Sequence, residues 1–147
     1  MRTFTKVSAR LFAAVLAAAS LAPVAQAQNR SFVARITVPF AFEVSSGRQL
    51  NPGVYDISVS GGQTMVIRGT NSAALAMIWQ QANVGLPISH GKAVFTHYGD
   101  KYYLRSISVT GSSTRLLFAQ SKHERESAVA SGKSTSSVDV ALLQTGR

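Results

Sequence analysis

The chain of 147 residues has no cysteine. No disulfide can staple it and no thiolate can serve as nucleophile or metal ligand, so its fold has to rest on buried apolar side chains. Acidic residues are scarce, six Asp and Glu against fifteen Lys and Arg. The histidines are only three, His90, His97 and His123, and no two stand at i and i+4 on a predicted helix or at i and i+2 on a predicted strand. A zinc site needs such convergence plus a third ligand, so neither metal nor cofactor is expected. No serine occupies a Gly-x-Ser-x-Gly elbow, and no Gly-x-x-x-x-Gly-Lys loop is present to cradle phosphate. Glu43 and Asp56 fall on different predicted strands, and nothing in the spacing selects them as a glycosidase pair. These absences point away from an enzyme.

Long apolar runs are missing too. The longest, Leu11 to Leu21, is too short for the roughly 20 residues of a spanning helix. It follows Arg2, Lys6 and Arg10 and precedes Pro23 and Ala25-Gln26-Ala27. Basic residues, a short apolar segment and small residues are the order of a secretory signal peptide, cleaved between Ala27 and Gln28; the competing reading is an N-terminal anchor. The expected location is periplasmic or extracellular. The remaining chain of about 120 residues suits one domain. It stays basic, which favours anionic partners: an envelope glycan, lipid head groups or an acidic protein face. Export makes nucleic acid an unsuitable partner, and no transmembrane helix is expected in the mature chain.

What is present is period-two patterning. From Phe32 the apolar residues fall on even positions, Ala34, Ile36, Val38, Phe40, Phe42 and Val44, with Arg35, Thr37 and Glu43 between them. Pro39 cannot donate to a ladder, so this strand bends there or lies on an edge. Asn51-Pro52-Gly53 launches a strand over 54–60, Gly61-Gly62 reads as a two-residue hairpin, and Thr64 to Arg68 returns. Ala73 to Gln81 is read as a strand because Leu75, Met77 and Trp79 alternate, although its alanines also suit a helix. A loop over 83–92, a hairpin over 93–109 and a strand over 115–119 follow. Ser121 and Glu124 then match a capping box, predicting a short helix over 122–130. Residues 131–147 read as a small-residue linker and a last strand over 138–143 that either docks or stays loose.

The fold class is therefore mostly β: an antiparallel meander of seven to eight short strands forming a small barrel or two-layer sandwich, with one short C-terminal helix. The organisation is a signal peptide over 1–27, a β-domain over 28–130, and the linker and tail over 131–147.

The densest chemistry lies in Lys92-Ala-Val-Phe-Thr-His-Tyr-Gly-Asp-Lys-Tyr-Tyr-Leu-Arg-Ser-Ile107. With Gly99-Asp100 as a two-residue loop, Tyr98 faces Lys101, His97 faces Tyr102, Phe95 faces Leu104 and Val94 faces Arg105. Leu104 is even while Ile107 and Val109 are odd. Either a bulge near Arg105-Ser106 resets the phase or Tyr103 is the inward residue. Candidate ligand-binding residues are His97, Tyr98, Lys101, Tyr102 and Arg105, with the lone Trp79 lining a pocket or closing a core end. The competing reading is ordinary cross-strand pairing.

Val38-Pro39-Phe40-Ala41-Phe42-Glu43-Val44, Leu50-Asn51-Pro52-Gly53-Val54-Tyr55, Lys92-Ala93-Val94-Phe95 with Tyr98-Gly99-Asp100-Lys101-Tyr102-Tyr103-Leu104, and Ser121-Lys122-His123-Glu124-Arg125-Glu126 occur in that order. This pattern resembles a family of small exported bacterial β-domain proteins of unknown function, over about residues 33 to 126. The family's second motif more often reads Leu-Pro-Ala-Gly-x-Tyr, and it often carries Trp where this chain has Ser108. The resemblance implies an exported β-domain and assigns no activity. The expected function is a non-catalytic binding or structural module of the cell envelope. The alternatives are a small secreted hydrolase or isomerase with a site of scattered residues, and an outer-membrane β-barrel.

Overall fold

The structure, a computed structural model, describes residues 31–132 and 135–143. The predicted leader and its Ala27–Gln28 junction lie outside the described residues. The strands are β1 (Ser31–Val38), β2 (Phe42–Glu43), β3 (Gln49–Leu50), β4 (Gly53–Ser60), β5 (Thr64–Arg68), β6 (Ala73–Asn83), β7 (Lys92–Tyr98), β8 (Lys101–Ser108), β9 (Thr114–Phe118) and β10 (Ser136–Leu143). The one helix among the described residues, α1, spans Lys122–Ala130.

Eight of these strands close into a barrel in the order β1-β4-β5-β6-β9-β8-β7-β10 and back to β1, with antiparallel neighbours throughout. Of the two predicted architectures, the barrel is the one formed. The predicted meander holds from β1 through β6, apart from the small β2–β3 annex. After that the chain crosses over, so that β9 rather than β7 lies beside β6.

Local chemistry sets the corners. Ala34, Ile36 and Val38 are buried in β1 while Arg35 and Thr37 are exposed, as the alternation requires. Pro39 ends the strand, and the chain bends away to form β2, which pairs with β8 in parallel at Phe42–Tyr102 and Glu43–Tyr103. The predicted two-residue loop at Gly61-Gly62 is instead a three-residue loop that includes Gln63, because Ser60 pairs with Thr64. Both glycines take positive φ, and the Gln63 carbonyl accepts from the Ile78 N–H.

The last strand docks. β10 pairs with β7 over six positions and with β1 over two, so the tail completes the barrel wall. Lys92 forms an ion pair with Asp139 across the β7–β10 seam.

Side chains fill the interior, as an eight-stranded barrel permits. Phe42 meets Phe95 and Tyr55 edge-on at centroid distances of 5.2 and 5.5 Å. Ile57, Met65, Ile67, Leu104, Ile107 and Phe118 join them in one buried cluster. The strand reading of β6 is right, and its inward residues are the small ones: Ala74, Ala76 and Ile78 are buried, whereas Leu75, Met77 and Trp79 point outward. Trp79 thus closes no core.

Candidate functional site

Three features of β8 and β6 decide where functional side chains go. The Gly99-Asp100 turn forms as expected, with Gly99 at φ 58°. Tyr98 pairs with Lys101, His97 with Tyr102 and Phe95 with Leu104. Beyond that, Val94 pairs with Ser106 rather than with Arg105. Arg105 is therefore the extra residue of a β-bulge, which resets the phase so that both Leu104 and Ile107 reach the core.

A second bulge lies in β6. Ile78 pairs with Phe118 and Gln80 with Leu117, so Trp79 has no partner on β9. The shift follows Ile78, so Trp79 keeps the outward side of Leu75 and Met77 but is free of a ladder partner on β9. Trp79 and Arg105, on the two strands that flank β9, are aimed into the same depression. It measures about 310 Å³ and is lined by Trp79, Arg105, Phe118, Ala119, Gln120 and Arg125. Trp79 is 76 % exposed, so its ring face is open.

Helix α1 supplies the rest. Ser121 caps it, its hydroxyl oxygen accepting from the Glu124 N–H at 3.0 Å. The same hydroxyl donates to Glu43 on β2, whose other carboxylate oxygen lies 3.2 Å from His123 Nδ1. Tyr103 reaches up from β8 to Ser127 at 2.8 Å. These bonds seat the helix beside the depression and place Arg125 at its rim.

Beneath the rim lies a buried charge. Glu124 is only 2 % exposed, and its Oε1 has no hydrogen-bond partner among the described residues. Arg105 Nε approaches that oxygen at 3.7 Å, while Arg105 Nη1 donates to the Phe118 carbonyl at 3.2 Å. Burial pushes the Glu124 carboxyl above its ordinary range, against the pull of Arg105. The pair holds the guanidinium against the wall, with about a third of the arginine side chain left open.

The predicted candidates therefore separate. Arg105 and Trp79 come together. Lys101 and Tyr102 line a second depression of about 280 Å³ with Glu43, Gln49, Asp100 and His123. The Tyr102 ring has both faces occupied, stacked on Phe40 at 4.0 Å and on His97 at 4.4 Å, so it offers no face to a ligand. His97 Nδ1 is 3.2 Å from the Ser136 hydroxyl of β10. Tyr98 is buried edge-on against Tyr103. Sequence reasoning missed Arg125 and Gln120, which reach the site only because α1 packs there. The phase slip after Leu104 was a visible signal of the Arg105 bulge.

No known protein family, curated protein or solved structure matches this chain.

Proposed function

We propose that this protein is an exported, non-catalytic binding module of the cell envelope, and that the Trp79–Arg105–Arg125 depression takes an acidic, ring-bearing ligand such as a uronic-acid saccharide. The observation that carries the reading is the pair of bulges aiming a lone exposed indole and a guanidinium into one hollow. An indole face packs against the apolar face of a sugar ring, and guanidinium groups suit carboxylates. Among the described residues no carboxylate lines the hollow. The filled barrel interior also favours recognition on the outer surface.

Trp79 is the only tryptophan, so indole fluorescence reports on this site alone. Titration with oligogalacturonate should give a saturable change that a neutral glucan of equal length does not. Arg125→Gln should weaken it about ten-fold, in line with one charge-assisted contact. Equal responses to the acidic and neutral sugars, or none to either, would sink the proposal.

The hydrolase or isomerase reading has one observation in its favour, the contact between Glu43 and His123 in the second depression. Glu43, however, is also bound to the helix cap, which accounts for its position without catalysis. The outer-membrane reading is disfavoured by the charged residues that face outward on three adjacent strands, Arg35, Asp56 and Arg68, where a spanning barrel carries an apolar belt.

A further inference from the structure

The outer face of β6 carries a row of large apolar side chains. Leu75 and Met77 are 56 % and 66 % exposed, and Trp79 continues the row. Their cross-strand neighbours on β5 are Val66 opposite Leu75 and Thr64 opposite Met77, neither charged. The inward residues of the same stretch are alanines and Ile78, so this strand turns its larger side chains to solvent. Exposed contiguous apolar surface of this kind marks an interaction site.

Cations stand at both ends of the row. Arg68 is opposite Ala73 at one end, and Arg105 and Arg125 line the Trp79 hollow at the other. The carboxylate beside Arg68 is Asp56, which accepts two bonds from Arg35 and is held below the usual carboxylate range by them. The Met77 N–H is capped by the Ser45 hydroxyl at 2.9 Å, so the strand edge there is not offered to an added strand. An apolar row ending in arginines, with tryptophan at one end, matches the boundary between acyl chains and anionic head groups.

We infer that this face docks on the surface of an anionic lipid bilayer, with Leu75 and Met77 at the acyl boundary and the arginines at the phosphates. The inference stands on the β6 row itself. It rests on the saccharide reading only in that the Trp79 hollow then faces the head-group layer.

The test is vesicle flotation with the protein as purified from expressing cells. Vesicles of phosphatidylcholine alone are compared with vesicles carrying phosphatidylglycerol. Wild type should float with the anionic vesicles, less with neutral ones, and less again at high salt. L75S/M77S should lose about ten-fold or more of that binding, since two apolar side chains no longer enter the boundary. Its Trp79 fluorescence response to oligogalacturonate should be unchanged. Wild type that stays in solution with anionic vesicles overturns the inference, as does L75S/M77S that floats equally well. A wild-type dimer that L75S/M77S converts to monomer, with no flotation by either, overturns it in favour of a second copy. Flotation without any saccharide response supports the docking face and removes the saccharide proposal instead.

Discussion

Replacing Arg105 with methionine keeps most of the side chain's packing and removes the cation that faces Glu124. Glu124 then sits buried with no charge partner within 4 Å among the described residues, and the Phe118 carbonyl loses its donor. Breaking a fully buried ion pair costs about 3–5 kcal/mol, and an exposed pair is worth about 0–1. This pair lies between those limits. The carboxylate is 2 % exposed, but the arginine is 34 % exposed and the separation is 3.7 Å, so solvent screening discounts the upper range. The expected loss at pH 7.5 is about 1–3 kcal/mol, or roughly 4–10 °C in Tm for a domain of this size.

The loss should depend on pH, with a definite sign. The Glu124 carboxyl sits above its ordinary value in the folded state, so the folded protein keeps that proton where the unfolded chain has already lost it. The destabilisation is complete above the folded value and fades as pH falls into the ordinary carboxylate range. Removing Arg105 raises the folded value further and enlarges the effect. Urea unfolding at pH 7.5 and near pH 4.5 should therefore show Arg105→Met converging on wild type at the lower pH. Arg105→Met/Glu124→Gln at pH 7.5 should recover at least 1 kcal/mol relative to Arg105→Met, because the amide can be buried uncharged. A double variant no more stable than Arg105→Met, with a loss that ignores pH, would refute the buried-charge argument.

Three further outcomes follow from packing. Gly69→Ala should cost about 1–3 kcal/mol, because a Cβ there falls 2.8 Å from Tyr55, whose hydroxyl is tied to the Asn51 carbonyl at 2.5 Å. Introducing Tyr55→Leu first should cut the added cost of Gly69→Ala below about 0.5 kcal/mol, and a full additive cost in a denaturation cycle would contradict the clash. Tyr103→Phe should lower stability by about 0.5–1.5 kcal/mol through loss of the Ser127 bond. Hydrogen exchange should then speed up first in α1, and unchanged α1 protection would count against the tie. Truncation before Ser136 should abolish cooperative unfolding by near-UV circular dichroism, because β7 and β1 each lose a neighbour. A sharp transition in the truncated chain would show that the barrel closes without β10.

The fold was legible wherever large apolar residues alternate with polar ones. Ala34-Ile36-Val38, Tyr55-Ile57 and Met65-Ile67 declare their inward face, and Gly99-Asp100 declares the register of the β7–β8 hairpin. It was illegible where both faces are apolar. In β6 alternation announces a strand, but whether Leu75 or Ala74 points inward is decided by the space left by Phe, Met and Ile side chains across the barrel. The depression at Trp79 was half legible. The phase slip marked Arg105, while Arg125 depends on α1 being seated by Glu43, a residue on β2 remote from the helix in sequence. The role of β10 was equally hidden, since an alternating tail says nothing about which edges await it.

That role has a kinetic side. Arg35 and Leu143, paired in the closed wall, lie near opposite ends of the described chain. Synthesis proceeds from the N-terminus, so β1 waits through the making of every other strand before β10 arrives to seal it. Loop closure over such a span is entropically slow, and folds dominated by such distant pairings assemble late. A chain built this way stays open while it is being made, and its wall closes only when β10 is delivered.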